Sequence, residues 1–324
     1  MNFDCSIILC TRNRAAMLEN TLRAFQSVTV PPGWRVEMLV ADNGSVDHTA
    51  AVVKSASHAS IEIRHVFEPR PGKSRAQNTA MAQACGEVLL FTDDDVEPAA
   101  NWVENMARPL LERRCEAVAG RILLAEELRR PWFAPMHSIW LAEAREPALD
   151  APPGLVGASM GIHRSVFDQI DNFDEELGPG ASGFGEETLI GWQMREAGMR
   201  VCPVTDTFII HHPDPSRLLR ANWLATATRF GRTRAYLMHH WEHSRVPCPA
   251  LHARLVRIKL WLRRLLQHPT RPDAEGCPAW EMSYLARIEG LQRFIDESRR
   301  PRNYDRHALR RNTPRPTTHE RFQE

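Results

Sequence analysis

The sequence lacks the features that mark secreted, membrane-spanning and nucleic-acid-binding proteins. Its seven cysteines are scattered and include no Cys-x-x-Cys pair, which argues against a disulfide framework and against a structural zinc site. No stretch approaches the roughly 18 to 20 apolar residues that cross a bilayer, and the N-terminal residues do not resemble a signal peptide. The net charge of +1 gives no overall field that would attract nucleic acid. These absences predict a reduced, cytoplasmic protein that binds no nucleic acid.

The first part of the chain alternates short apolar runs with segments of helical pattern. Its 324 residues are enough for one large domain with an appended region. Because the connections are long enough to hold helices, the alternation predicts parallel strands joined by right-handed crossovers, with helices on both faces. The predicted fold class is therefore α/β, with a Rossmann-like, mostly parallel sheet. The predicted strands are 5–10, 35–41, 61–66, 87–92 and 116–124.

Polar side chains follow four of these strands, at the point where each strand ends. The clusters are "TRNR" (11–14), "DNGS" (42–45), "EPRPGKSRAQN" (68–78) and "DDD" (93–95). Ligands of such sheets bind beyond the carboxyl ends of the strands. We therefore expect the four clusters to meet in one site.

Three consecutive aspartates, Asp93, Asp94 and Asp95, end an apolar strand. One aspartate would suffice to cap the helix predicted after Pro98, which is the simpler interpretation. Three carboxylates at a buried strand end raise one another's pKa unless a cation neutralises them. We therefore favour a divalent ion, Mg²⁺ or Mn²⁺, because these ions accept oxygen ligands and keep positions open for phosphate.

The loop after the third strand combines glycine with two cations. Gly72 permits close backbone approach, and a helix that begins at Lys73 directs its amino end toward anions. Lys73 and Arg75 are therefore predicted to hold a phosphate, although in isolation the loop would be an exposed basic turn. Asp42 precedes an Asn-Gly turn and is a candidate acceptor for a hydrogen bond from a base or ribose.

Four segments together resemble the successive motifs of the family 2 glycosyltransferases. They are "SIILCTRNR", "VADNGSVDHT", "PRPGKSRAQNTAMAQACGEVLLFTDDDVEP" and "GFGEETLIGWQMREAG", and the matching region runs from Asp4 to His212. Their order and spacing make the resemblance specific. It implies a GT-A fold, a nucleotide-diphosphate sugar donor, a divalent metal ion and inversion at the anomeric carbon. The expected donor is a UDP-sugar, and the expected acceptor is a saccharide, a lipid-linked molecule or a small molecule.

The resemblance also implies which residues bind the donor and the metal. Thr11 and Arg12 are implied to line the nucleotide pocket, and Asp42 to contact the base. With Lys73 and Asp94 added, the expected donor-binding set is Thr11, Arg12, Asp42, Lys73, Arg75, Asn78, Asp93 and Asp94. The expected metal ligands are Asp95 and His211, the latter with the adjacent histidine as the alternative.

The segment implied to hold the catalytic base departs from the family pattern. Family members similar in this region usually read G-E-D-x-D-L and use the first D as the base, whereas this chain reads "GEETLI". Glu187 therefore stands at the position of the base, and Leu189 replaces the second acid. The simpler interpretation is that Glu186 and Glu187 only complement the helix dipole.

The sequence predicts three regions. A GT-A domain covers 1–214, with a nucleotide-sugar half to about residue 120 and an acceptor half after it; a helical region covers 215–298, and a disordered basic tail covers 299–324. In 251–267 an apolar stripe is flanked by arginines. We expect the stripe to pack on neighbouring helices, with contact to an anionic membrane surface as the alternative. Three tryptophans either stack on an acceptor sugar or fill the core, namely Trp132, Trp140 and Trp192.

Two other functions compete with glycosyl transfer. A sugar-phosphate nucleotidyltransferase shares the sheet type but should carry a glycine-rich loop directly after the first strand, where this chain has "CTRNR". A non-catalytic subunit would bind a nucleotide sugar without an active base and serve a partner through its C-terminal helices. Replacement of Glu187 distinguishes this second alternative from an enzyme.

Overall fold

The computed structural model describes residues 3–146, 154–267 and 274–312. Within these residues, the strands are β1 (Phe3–Thr11), β2 (Val36–Asp42), β3 (Ile61–Phe67), β4 (Gly86–Asp93), β5 (Val96–Pro98), β6 (Ala117–Leu124), β7 (Met160–His163) and β8 (Val201–His211). The helices are α1 (Ala15–Ala24), α2 (Thr49–Ser55), α3 (Lys73–Gln83), α4 (Trp102–Leu111), α5 (Pro135–Trp140), α6 (Glu186–Glu196), α7 (Arg220–His240), α8 (Pro249–Gln267) and α9 (Ala279–Glu297).

The eight strands form one mixed sheet in the order β3-β2-β1-β4-β7-β6-β8-β5. β1 pairs in parallel with β2 and β4, and β2 pairs in parallel with β3, which confirms the predicted parallel half. β7 is antiparallel to both β4 and β6, a short strand that the sequence analysis did not predict. β6 and β8 are parallel, and β5 closes the far edge antiparallel to β8.

Helices cover the sheet on both faces, as the continuous apolar runs predict. Along β1, Ile7 and Leu9 face a core shared with α1 and α4, while Ile8 between them faces a second core shared with α3 and α6. Alternate side chains of a strand point to opposite faces, so a strand buried on both sides must be apolar throughout. This packing fixes the strand register and brings the carboxyl ends of β1, β2 and β4 to one edge.

The helical region predicted from residue 215 contains α7, α8 and α9. α7 packs along α9, and α8 packs on the outer side of α9. No helix in the described ranges is long and apolar enough to cross a membrane. The boundaries proposed between the three regions of the chain remain predictions.

The prediction that α8 buries its apolar stripe is wrong. α8 packs through Ala253, Val256 and Leu260, which are at most 6% exposed. The stripe lies on the opposite side of the helix, since residues three and four apart share one face. All of its members are about half exposed, namely Leu251, Leu255, Ile258, Leu262 and Leu265.

The prediction of a disordered tail is wrong for residues 299–312. Tyr304 is 1% exposed, and its hydroxyl donates to Asp174 Oδ2 at 2.6 Å. Arg311 donates to Asp174 Oδ1 at 3.0 Å and to Glu176 Oε1 at 2.8 Å. A few anchoring residues therefore order a segment whose overall composition is polar. The remainder of the predicted tail, 313–324, lies outside the described residues.

We predict that Asp174→Ala destabilises the fold by about 3 kcal/mol. The substitution leaves Arg311 and the buried hydroxyls of Tyr236 and Tyr304 without their shared acceptor. Urea unfolding followed by circular dichroism measures the change. The exposed Asp206→Ala is the matched control, and equal midpoints for the two variants would contradict this account of the tail.

Candidate active site

A cavity of about 850 Å³ opens beyond the carboxyl ends of β1 and β4. The loop before α6, the start of α3 and one side of α7 complete its walls. The position is the one that parallel strands predict for a ligand. Of the residues expected in the site, those that line the cavity are Thr11, Arg12, Lys73, Asp93, Asp94, Asp95, Glu187 and His211.

Arg14 bridges two of the three aspartates. Its Nη1 donates to Asp94 Oδ1 at 2.5 Å and its Nη2 donates to Asp95 Oδ2 at 2.6 Å. The Thr11 hydroxyl donates to the other Asp94 oxygen at 2.6 Å. Arg12, which was expected in the nucleotide pocket, is exposed and lines the cavity, whereas the contact with the acids is made by Arg14, which was not among the expected site residues. The sequence signal for this contact was the position of Arg14 directly before α1, at the end of the turn that follows β1.

The environments of Asp94 and Asp95 shift the pKa values of the two side chains in opposite directions. Burial raises the pKa of Asp94; Arg14 opposes this shift and the Asp95 carboxylate adds to it. Burial also acts to raise the pKa of Asp95, but His211 and Arg14 together hold that pKa below its ordinary value. Asp95 is therefore the carboxylate that stays ionised and available to a cation.

Lys73 neutralises the first aspartate. Gly72 has φ of +135°, which a glycine adopts without strain, and α3 begins at the next residue. Lys73 Nζ lies 2.5 Å from Asp93 Oδ1. Burial acts to lower the pKa of Lys73, but Asp93 and Glu186 raise it well above its ordinary value. Lys73 is thus a fixed positive charge in the cavity wall.

His211 lies directly beside Asp95. His211 Nδ1 lies 2.8 Å from the carbonyl oxygen of Leu141, which can only accept, so Nδ1 carries a proton. His211 Nε2 lies 3.2 Å from Asp95 Oδ1. Asp95 Oδ1 is buried without a hydrogen bond. An unpaired carboxylate oxygen beside an imidazole nitrogen fits a divalent cation.

The structure distinguishes His211 from its neighbour. The His212 ring turns away, toward Glu97 and Glu127 at 3.5 and 3.4 Å. The described residues contain no group of three His, Cys, Asp or Glu side chains placed to hold a metal. A cation at Asp95 would therefore need further ligands from a bound molecule, as Mg²⁺ commonly takes them from substrate phosphates.

Glu186 and Glu187 are adjacent acids in the first turn of α6. Gly185 precedes them with φ of +90°, and a Cβ there would approach Thr233 of α7 to 2.6 Å. Burial raises the pKa of Glu186 well above its ordinary value, the Glu187 carboxylate raises it further and Lys73 opposes both. One oxygen of each glutamate is buried without a partner. A protonated Glu186 can donate to Glu187 and leave Glu187 as a carboxylate that faces the cavity.

Three of the expected donor-binding residues do not line the cavity. Asp42 accepts from the Ser45 amide at 2.8 Å and lies 3.1 Å from His65 Nε2, so it holds its own turn. Arg75 pairs with Glu175 at 3.3 Å, and the Asn78 amide donates to a backbone carbonyl. Asp42 is buried and Arg75 and Asn78 are half-buried, and these partners hold all three side chains away from the cavity.

Asn43 replaces Asp42 as the cavity residue at the end of β2. Its Oδ1 accepts from the Gly72 amide at 2.7 Å, and its Nδ2 donates to the Arg70 carbonyl at 2.7 Å. The side chain ties the β2 turn to the start of α3. The sequence signal was the Asn-Gly pair itself, which the sequence analysis assigned to turn formation alone.

Helix α7 and the segment before it form a wall that sequence reasoning missed. The guanidinium of Arg217 donates to the Trp140 carbonyl at 2.8 Å and has no carboxylate partner among the described residues. Burial lowers the pKa of Arg217. Trp140 and Trp192 both line the cavity, whereas Trp132 packs on Phe133 outside it. The other lining residues on this side are Phe184, Phe230, Thr233, Arg234 and Leu237.

Comparison of the structure with solved proteins shows the fold. A mannosyltransferase, PcManGT from Pyrobaculum calidifontis in complex with GDP-Man and Mn²⁺, matches with a TM-score of 0.53 and 17% identity. The match covers 92% of this chain and 74% of that one. The fold is GT-A, which confirms the predicted fold class with its C-terminal helical region.

Comparison of the sequence identifies relatives that are named as glycosyltransferases. The Pre-mycofactocin glycosyltransferase of Mycobacterium tuberculosis is 25% identical over 241 residues, which are 72% of this chain and 47% of that protein. This chain thus spans about half the length of that relative. The Succinoglycan biosynthesis protein ExoM of Rhizobium meliloti is 28% identical over 72% of this chain and 75% of that protein. The model of Glycosyl transferase family 2 matches residues 6–171, just over half of the chain, and the chain belongs to this family.

Proposed function

We propose that this protein is an inverting glycosyltransferase that moves a sugar from a nucleotide-diphosphate sugar to an acceptor hydroxyl. The observation that carries the proposal is the charge arrangement within one cavity. Asp95, which has one oxygen without a hydrogen bond, lies beside His211 and near the positive charge of Lys73. Glu187, which also has an oxygen without a partner, lies on another wall. A diphosphate needs Lys73 and a cation that Asp95 and His211 would hold. A hydroxyl nucleophile needs a carboxylate base such as Glu187.

The donor lies, in this proposal, against the edge formed by β1, β4 and α3. Lys73 and the amino end of α3 take the diphosphate, because both offer positive charge in a partly dry site. Thr11, Arg12 and Asn43 border the nucleotide. A UDP-sugar is the proposed donor, and GDP-mannose is the first competitor because PcManGT is complexed with it.

Asp95 and His211 are the proposed ligands of Mn²⁺ or Mg²⁺. A divalent cation bound there would neutralise the charge that develops on the departing nucleoside diphosphate. Arg14 occupies one side of Asp95, so the guanidinium remains as a second positive charge beside the diphosphate or swings aside. Arg217 adds a buried cation without an ion pair on the same side, suited to a phosphate oxygen.

Glu187 is the proposed catalytic base. Its carboxylate takes the proton of the acceptor hydroxyl as that oxygen attacks the anomeric carbon in line, through an oxocarbenium-like state. The bond to the nucleoside diphosphate breaks on the opposite face, which inverts the configuration. Glu186 remains protonated and hydrogen-bonded behind it, so a single negative charge faces the acceptor.

The wall of aromatic side chains is the proposed acceptor side. Trp140, Phe184 and Phe230 line the cavity, and the Phe230 ring lies 5.4 Å from that of Trp140 and 6.2 Å from that of Phe184. Aromatic faces pack well against the C–H faces of sugars and against apolar groups. A saccharide, lipid-linked or small-molecule acceptor meets this requirement.

The structure gives no support to the nucleotidyltransferase alternative, because Arg12, Asn13 and Arg14 follow β1 where a glycine-rich loop is expected. A non-catalytic binding subunit remains the competing proposal, on the ground that the base motif departs from the family pattern. Wild-type protein that binds UDP with Mn²⁺ but neither hydrolyses nor transfers any donor sugar would favour it.

We predict that Glu187→Gln lowers kcat for transfer by roughly 100-fold or more while nucleotide binding is kept. The amide keeps the shape but cannot take a proton. Product formation from radiolabelled donor measures kcat, and calorimetric titration with UDP measures binding.

Two variants make this result specific. Glu187→Asp keeps a carboxylate with shorter reach and should retain more activity than the amide. Glu196→Gln removes an exposed acid from the same helix and should leave kcat unchanged. Full activity in Glu187→Gln would overturn the assignment of the base.

We predict that Asp95→Asn weakens the binding of UDP by roughly tenfold or more when Mn²⁺ is present. Without the metal, the variant and the wild type should bind UDP alike, because Asp95 reaches the nucleotide only through the cation. Calorimetric titration with and without Mn²⁺ gives both values. Glu97→Gln, an exposed acid two residues away, is the control, and a variant with an unchanged metal effect would rule Asp95 out.

A further inference from the structure

Helix α8 carries most of the exposed apolar surface of the described residues. The described residues include twelve exposed large apolar side chains, and seven of these belong to α8. The exposure is therefore concentrated on one helix. The seven are 47% to 80% exposed, namely Leu251, Leu255, Ile258, Trp261, Leu262, Leu265 and Leu266. A contiguous patch of this kind marks an interaction surface.

The charges of α8 define what that surface can meet. The helix contains five basic residues and no acidic one. Arg263 lies over the Trp280 ring at 4.6 Å and Arg264 pairs with Glu281 at 2.6 Å, both on α9. The other three, Arg254, Arg257 and Lys259, have no ion pair in the described part of the chain. Basic residues thus border the exposed stripe on both sides of the helix.

We propose that α8 binds in the plane of an anionic lipid bilayer. Its leucines and Ile258 would enter the boundary between headgroups and acyl chains, while the basic side chains reach the lipid phosphates. Trp261 lies at the margin of the stripe, where an indole suits the headgroup level. α9 holds the helix from behind through Val256 and Leu260, so the surface is already formed before contact.

The charge complementarity favours lipid over a second copy of this chain. Two copies related by a twofold axis would bring like-charged α8 helices together without acids to compensate. An anionic membrane supplies both the apolar layer and a negative surface potential that attracts basic residues. The proposal does not depend on the identity of the sugar donor.

Vesicle flotation of the full chain tests the proposal. We expect the protein to float with vesicles of phosphatidylcholine and phosphatidylglycerol, and to stay at the bottom with phosphatidylcholine alone. About 1 M salt should release it, because the screening length falls to about 3 Å. Ile258→Ser with Leu262→Ser should weaken partitioning by roughly tenfold or more, since both side chains leave the lipid.

Controls separate lipid binding from loss of fold and from self-association. Both serines replace exposed side chains, so the thermal midpoint should not change. Val46→Ser with Phe67→Ser removes an exposed apolar pair elsewhere and should float like the wild type. The proposal fails if the wild type does not float, or if the α8 variant floats equally well. It also fails if the wild type is a dimer that the α8 variant dissociates while neither binds vesicles.

Discussion

The three acids at the end of β4, of which Asp94 and Asp95 are buried, impose the constraint on which the rest of the site depends. Adjacent carboxylates can share a water-poor place only where positive groups neutralise them. Arg14 from the end of β1 bridges Asp94 and Asp95, and Lys73 from the start of α3 pairs with Asp93. These cations can reach the acids only because the parallel strands bring their carboxyl ends to one edge. The parallel arrangement of the strands therefore allows these cations to neutralise the acids.

The same charges that stabilise the site suit a donor. A diphosphate with a divalent cation can share Lys73 and Asp95 with their present partners at little net change in charge. Another wall comes from α6 and α7, where Gly185 packs its turn directly against Thr233. Of the C-terminal helices, α7 is thus part of the cavity wall. In our proposal the sheet edge holds the donor, and these helices hold the base and the acceptor.

Sequence reasoning succeeded where local pattern decides the outcome. Continuous apolar runs predicted the doubly covered parallel strands, and the polar clusters predicted the edge at which the cavity lies. Sequence reasoning failed where tertiary packing decides which partner a side chain contacts. It did not single out Arg14, because only the folded turn before α1 brings this side chain to Asp94 and Asp95. The tail is polar in composition, yet Tyr304 and Arg311 anchor residues 299–312 on Asp174 and Glu176. Periodicity showed that α8 has an apolar stripe but not which side faces α9.

The central claim is that the cavity binds a nucleotide-diphosphate sugar together with a divalent cation. A thermal-shift panel of nucleotide sugars, each with and without Mn²⁺, tests it most directly. The account predicts that at least one nucleotide sugar raises the unfolding temperature, and that Mn²⁺ increases this rise beyond the effect of either ligand alone. No metal-dependent stabilisation by any nucleotide sugar would contradict the claim.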